Sequence, residues 1–135
     1  MDIGIIDLLA KLVGKLINLN KERKQEVAAY LSSIAELIAK FPPRLRDGAP
    51  PEELHGYAVE TAQLAVGFSD TTSDVLSEED RTRFVDILRD AFSAKEILSR
   101  SQNGQRDGHL MFLAEVAAKF RAAATSLRGR ANKLS

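Results

Sequence analysis

The chain has 135 residues and no cysteine, and its 19 lysines and arginines balance 19 aspartates and glutamates. This length predicts a single domain, residues 1–135, and the lack of cysteine excludes a disulfide framework, a thiolate metal site and a thiol nucleophile. Residues 51–100 carry eleven acidic and five basic side chains, and both flanking segments have a basic excess. This pattern indicates that the basic ends of the chain neutralise its acidic middle. It does not favour the concentrated basic face that is typical of a nucleic-acid-binding protein.

The first predicted element is a helix over about residues 2–18, and the whole segment 1–19 is strongly apolar. At 100° per residue its polar residues form one strip about 100° wide, and apolar residues cover the remaining arc. An ordinary surface helix needs an apolar stripe of only about 100°. The excess predicts a helix that is either wrapped in a bundle or in contact with a membrane or partner. The candidate contact residues are Ile3, Ile5, Ile6, Leu9, Leu12, Val13, Leu16 and Ile17.

This segment fits neither a signal peptide nor a transmembrane span. It has no basic n-region and no small-residue cleavage site before the charged run 21–26. Asp7, Lys11 and Lys15 interrupt a stretch that is already shorter than the ~20 apolar residues of a membrane-spanning helix. We therefore expect a cytoplasmic protein, with recruitment to the inner face of the membrane as the alternative in which the first helix contacts lipid.

A second helix is expected to begin after Asn20, which is a favourable N-cap residue. The join to the first helix is weak, so one long kinked helix is an alternative. The second helix is expected to end at Phe41-Pro42-Pro43, because proline lacks the donor N–H and disfavours helical backbone in the residue before it. Residues 42–50 are then predicted to form a loop.

Two further helices follow this loop. Pro51 is suited to the first turn of the third helix, and Ser77 to the N-cap of the fourth. We interpret Glu78-Glu79-Asp80 as a solvated first turn facing the helix dipole and not as a catalytic carboxylate pair. Residues 93–96 predict a short additional turn, and 101–108 a loop.

The last helix, about residues 108–133, has the most regular pattern. Its apolar residues repeat with alternating spacings of three and four, as the seam of a helical bundle requires. No segment shows the alternation of a strand. The sequence predicts an all-α fold, an antiparallel four-helix bundle with short accessory helices, whose core includes Leu31, Ile34, Ile38, Leu64, Phe84, Leu88, Leu113, Phe120 and Leu127.

Motifs for catalysis or metal binding are weak. Glu52 and His55 have a Glu-x-x-His spacing, but a di-iron bundle needs two such motifs and two further glutamates. No serine lies in a Gly-x-Ser-x-Gly turn, and no glycine-rich phosphate loop is present. We therefore predict no enzyme activity, no cofactor and no metal. We interpret the basic residues of the last helix as solubilising, with lipid or partner contact as the alternative; they are Lys119, Arg121, Arg128, Arg130 and Lys133.

The layout resembles the HeLo-type bundles of programmed cell death. These include the fungal HeLo domains, the executioner bundle of mixed-lineage kinase domain-like proteins, the coiled-coil domains of plant immune receptors and their bacterial relatives. Met1–Leu12 is similar to the N-terminal plant motif of spaced apolar residues and a Lys-Leu. Lys24–Ala35 and Phe120–Arg128 resemble the core-helix pattern of small bacterial members. Unlike the fungal members, the chain has no evident C-terminal amyloid-forming stretch.

The resemblance implies a non-enzymatic bacterial defence protein that oligomerises and permeabilises membranes through its first helix. The alternative is a soluble adaptor or oligomerisation module that uses the same helix as a permanent interface. The expected partners are a second copy of the chain, membrane lipid or another protein, and not nucleic acid. On the membrane hypothesis Leu9→Glu abolishes lipid binding; on the adaptor hypothesis it breaks self-association.

Overall fold

The structure, a computed structural model, describes residues 4–101 and 106–133, with side chains up to Gly129. The described residues form helices and no strand, which confirms the all-α class. The helices are α1 (Ile5–Leu16), α2 (Lys21–Arg46), α3 (Pro51–Thr71), α4 (Glu78–Ala91), α5 (Ala94–Arg100) and α6 (Arg106–Lys133).

The two longest helices, α2 and α6, form the most extensive contact in the molecule. Helix α3 packs on α2 and on α4, and α1 packs on α6 and α4. The short α5 fills the space beside α3 and α4. Since α1 and α2 are separated by a turn at residues 17–19, they are two helices and not one kinked helix.

The core is built from side chains at the predicted spacings. Five phenylalanines are fully buried, and Phe84 lies with its ring centroid 4.5 Å from Phe68 and 6.1 Å from Phe120. Of the nine predicted core residues all are buried except Leu64, which is half-buried. The three-and-four periodicity of α6 therefore identified its buried face correctly.

The predicted loop at residues 42–50 is wrong, because α2 continues through Pro42 and Pro43 to Arg46. Each proline removes one helical N–H, but its fixed φ near −65° is compatible with a helix. The last turn keeps its other bonds: Asp47 N donates to Pro43 O at 3.1 Å, and Ala49 N to Arg44 O at 2.9 Å. The actual connection to α3 is therefore only residues 47–50.

Tertiary contacts hold this last turn of α2. The Arg44 guanidinium donates to both oxygens of Glu53 in the first turn of α3, and the Tyr57 hydroxyl also donates to Glu53 at 2.6 Å. These donors lower the pKa of Glu53, with Arg44 the larger cause. From α6, Arg106 donates to Leu45 O at 3.2 Å. These bonds explain how the chain remains helical after the prolines, which local sequence rules do not anticipate.

The predicted N-caps of α2 and α4 are confirmed. The Asn20 side chain accepts from Arg23 N at 3.0 Å, and Ser77 Oγ from Asp80 N at 3.1 Å. Ser93 caps α5 in the same way, where a short turn was expected. Helix α6 begins at Arg106, two residues before its predicted start, and the rest of that predicted loop includes residues 102–105, outside the described residues.

Candidate functional site

The apolar face of α1 is largely covered by its own chain. Its buried stripe is between 0 and 3% exposed and packs into the same core cluster as α4 and α6; it consists of Ile5, Leu8, Leu9, Leu12 and Leu16. Four of these five are candidate contact residues, and the structure uses Ile5, Leu9, Leu12 and Leu16 as core. The reading of α1 as a helix packed in the bundle thus accounts for about half of its apolar surface.

A second apolar stripe of α1 is only half-buried. Ile6, Val13 and Ile17 lie about 100° around the helix from the buried stripe, on one side of it. All three are partly open to solvent, and Ile6 and Val13 also pack partly against the core. We call these three residues the α1 flank. The remaining candidate, Ile3, lies outside the described residues.

A compact ionic cluster lies on the opposite side of the buried stripe. Lys11 and Lys15, one helical turn apart, both bond to Asp80 in the first turn of α4. Lys11 Nζ lies 3.1 Å from Asp80 Oδ1, and Lys15 Nζ lies 2.8 Å from Oδ2. We call these three residues the Lys–Asp–Lys cluster. It joins α1 to an element more than 60 residues later in the chain.

The exposure of the cluster is uneven. The Asp80 side chain is 7% exposed, whereas the side chains of Lys11 and Lys15 are 54% and 42% exposed. Hydrogen bonds from Lys15 and Lys11 lower the pKa of Asp80 from 3.8 to about 2, against a smaller opposing effect of burial. Asp80 is therefore ionised at neutral pH, and both of its carboxylate oxygens are occupied.

Helix α4 also contacts the beginning of α1. Gly4, the residue before α1, has a left-handed backbone with φ of 73°. A Cβ atom at this position would lie 2.9 Å from Nη2 of Arg83. Any other residue would therefore be strained by its backbone, and the end of the flexible Arg83 side chain would shift. Glycine thus suits the left-handed backbone at the beginning of α1.

The expectation that Glu78-Glu79-Asp80 forms a solvated turn is wrong for Asp80. Glu78 and Glu79 are exposed, as expected, but Asp80 is buried beneath the two lysines. The sequence places Lys11 and Lys15 next to each other, at i and i+4 beside an apolar face. This spacing alone does not distinguish a solvated pair from one that shares an anionic partner.

The other candidate positions do not come together. Glu52 and His55 are exposed, and no group of three or more His, Asp or Glu side chains suited to a metal occurs in the ranges that the structure describes. His109 is buried and stacks on Phe112, and its Nε2 has no described hydrogen-bond partner. Burial, and secondarily the charge of Arg100, lower the pKa of His109.

The basic residues of α6 are mostly at the surface. Lys119, Arg121 and Arg128 are exposed, and Arg128 bonds to Ser32 Oγ on α2 at 2.7 Å. The side chains of Arg130 and Lys133 lie outside the described part. Among the described lysines and arginines of α6, Arg106 and Arg128 thus make tertiary contacts, and Lys119 and Arg121 are exposed charges.

None of the helices in the described ranges combines the length and the hydropathy needed to cross a bilayer. Comparison with protein-family models, with curated proteins and with solved structures finds no match.

Proposed function

We propose that this protein is a HeLo-type cell-death effector of bacterial defence, an antiparallel four-helix bundle that oligomerises and permeabilises membranes through α1. The α1 flank is the observation that supports this proposal most directly. Ile6, Val13 and Ile17 give α1 an apolar stripe that its own chain covers only in part. A helix that served the bundle alone would not need this second stripe.

The resting structure determines what membrane insertion must overcome. Burial of the five large side chains of the buried stripe stabilises α1 on the bundle by about 7–15 kcal/mol, at ~1.5–3 kcal/mol each. Transfer of these side chains to lipid keeps them in an apolar environment, but it exposes to water the surfaces of α4 and α6 that α1 covers. The α1 flank provides an additional apolar gain in lipid, and charged groups contribute to the remaining difference. Insertion therefore requires a trigger.

The size of α1 determines how it would lie in the bilayer. Its 12 residues are about 18 Å long at 1.5 Å per residue, which is less than the ~30 Å of a bilayer core. An amphipathic helix of this length lies in the interface, with its apolar face inward and its lysines at the headgroups. Permeabilisation then requires several copies, which agrees with the proposed oligomerisation.

The structure changes which variants test this function. Leu9 is 3% exposed, so Leu9→Glu would place a charge in the core and destabilise the fold itself. Deletion of residues 1–19 would uncover the surfaces of α4 and α6 that α1 packs on. A residue of the α1 flank is a cleaner site, since it is only half-buried.

The experiment compares Val13→Asp on the α1 flank with Val59→Asp on α3, where valine is 40% exposed. The experiment also includes Asp80→Asn, which removes the ionic contact between α1 and α4. We expect both this variant and the wild type to release dye from anionic vesicles and to arrest growth on expression. Val13→Asp should abolish both effects, because it places an unpaired charge on the apolar side of a helix that must face the acyl chains, and Val59→Asp should retain them. Circular dichroism verifies that each variant is folded. Absence of dye release from both wild type and Asp80→Asn contradicts the proposal.

The second candidate is a helical adaptor in which the α1 flank contacts another copy. The same half-buried stripe favours it, because a two-fold interface places one apolar patch against itself. On this alternative Val13→Asp converts a dimer to a monomer in sedimentation experiments, and vesicles remain intact with every variant. Dye release by the wild type together with a monomeric state at rest contradicts the adaptor.

A further inference from the structure

The Lys–Asp–Lys cluster links the proposed membrane helix to the rest of the bundle. Asp80 uses both carboxylate oxygens for α1, at 3.1 and 2.8 Å, and its side chain is only 7% exposed. The two lysines that cover it remain about half exposed. The ionic contact is therefore buried on the α4 side and accessible from solvent on the α1 side.

We propose that Asp80 is the switch that retains α1 on the bundle, and that phosphates of anionic lipids release α1 by replacing Asp80 as the partner of Lys11 and Lys15. This inference rests on the proposed function and identifies how it is regulated. The competing ligand is a membrane surface, since it offers both phosphates for the two lysines and an apolar layer for the face that α1 exposes when it leaves.

The ion pairs add to the apolar contacts that retain α1, and their loss makes its departure more costly. On a neutral membrane Lys11 and Lys15 would lose Asp80 and meet only zwitterionic headgroups. An anionic surface supplies the replacement and attracts basic residues close to it. The cluster thus makes release depend on the charge of the membrane.

The geometry allows exchange to begin before α1 moves. Lys11 and Lys15 project from the same side of α1, since residues at i and i+4 lie one above the other. Their exposed ammonium groups are within reach of a headgroup while α1 is still docked. Once both lysines have turned to phosphates, Asp80 returns to water and the ionic contact between α1 and α4 is lost.

The first experiment measures the retention of α1 in solution, without a membrane. It compares Asp80→Asn with Glu79→Gln, which removes a charge from the same first turn of α4 but at an exposed residue. We expect amide hydrogen exchange in α1 to be about tenfold or more faster in Asp80→Asn, the effect of removing hydrogen bonds to a charged group. In Asp80→Asn the exchange rates of α2 and α6 should equal those of the wild type. In Glu79→Gln the exchange rates of every helix should equal those of the wild type.

Two outcomes overturn the switch in this experiment. Equal acceleration of α1, α2 and α6 in Asp80→Asn assigns Asp80 a general structural role, and equal acceleration in Glu79→Gln assigns the effect to the dipole of α4. Exchange of the charges in Lys11→Glu/Lys15→Glu/Asp80→Lys provides a second variant. Because it reverses both ion pairs, it should restore slow exchange in α1 relative to Asp80→Asn.

The second experiment measures dye release from vesicles of phosphatidylcholine with increasing phosphatidylglycerol. Asp80→Asn should need at most half the anionic fraction that the wild type needs, and Glu79→Gln should match the wild type. An equal requirement for Asp80→Asn and wild type overturns the switch and leaves the proposed function intact. Absence of dye release from both Asp80→Asn and the wild type contradicts the proposed function instead. In that case the hydrogen-exchange data still decide whether Asp80 retains α1.

A third arm separates the lipid surface from free phosphate. Inorganic phosphate, at the concentration of lipid phosphate in the vesicle experiment, should leave exchange in α1 of the wild type unchanged. Acceleration by inorganic phosphate alone identifies a soluble anion as the ligand and overturns the membrane part of the inference.

Discussion

Asp80 has a consequence for the stability of the protein in acid. Its pKa is about 2 in the fold against 3.8 ordinarily, so the carboxylate stabilises the native state above pH 3.8. This contribution is lost as the pH falls from 3.8 through about 2, because the unfolded chain then binds the proton first.

We therefore expect the difference in the free energy of urea unfolding between wild type and Asp80→Asn to depend on pH. The difference should be constant well above pH 3.8 and should shrink as the pH falls through about 2, where Asp80 takes up its proton in the folded wild type. Glu53 and Asp74, which also have lowered pKa values, titrate in both proteins and cancel in the comparison. A difference that does not change with pH would show that Asp80 acts through its shape and not its charge.

Gly67 shows how one residue determines the distance between two helices. A Cβ atom on Gly67 of α3 would lie 2.6 Å from Cε1 of Tyr30 on α2. Gly56, in the same helix, has no such neighbour within 4 Å. We expect Gly67→Ala to destabilise the protein by about 1–3 kcal/mol by overpacking, and Gly56→Ala to stabilise it by about 1 kcal/mol through helix propensity. Thermal or urea unfolding measures both, and equal stabilisation would show that Tyr30 moves aside without cost.

At the level of helices, the two internal prolines of α2 contribute unequally. Pro42 is buried and packs in the fold, but Pro43 is exposed and removes the N–H that would bond to Ala39 O. Pro43→Ala restores this donor without loss of a buried side chain. Pro51 is also exposed, but it occupies the first turn of α3, where proline is favourable.

We expect Pro43→Ala to increase the free energy of unfolding by about 1–3 kcal/mol, and Pro51→Ala to leave it unchanged or reduce it slightly. Urea unfolding of the two variants and wild type gives both values. The same substitution should thus have opposite effects at two positions only eight residues apart. Destabilisation by Pro43→Ala would indicate that the rigid ring limits the unfolded chain more than it weakens the helix.

The helices themselves could be predicted, because their information is local. Capping residues such as Asn20 and Ser77 identified most helix starts, and apolar periodicity identified core residues, of which eight of the nine predicted are buried. The end of α2 could not be predicted, since the turn after Pro43 depends on Arg44 bonding to Glu53 in the next helix. The role of Asp80 was hidden for the same reason. Its partners are 65 and 69 residues away, and no local pattern specifies which acidic residue lies beside Lys11 and Lys15.

For the whole molecule, the helices differ in how extensively they pack against one another. The long pair α2 and α6 forms the centre, and α3 and α4 extend it. Helix α1 has only 12 residues and its principal contacts are with α6 and α4. Helices with fewer contacts open at lower free energy than the global unfolding of a protein. The position of α1 therefore permits its departure while the larger helices remain together.

Because of the order of the helices along the chain, α1 is synthesised before the two helices on which it packs, α4 and α6. Both elements on which it packs follow it in the sequence, and α6 begins 90 residues after the end of α1, at Arg106 against Leu16. At ~5–20 residues per second, the ribosome needs roughly 5–20 s to synthesise that interval. During each round of synthesis the apolar face of α1 is therefore outside the ribosome before its binding surface exists. For those seconds a nearby membrane or chaperone can bind the apolar face of α1, because the helices that will cover it have not yet been synthesised.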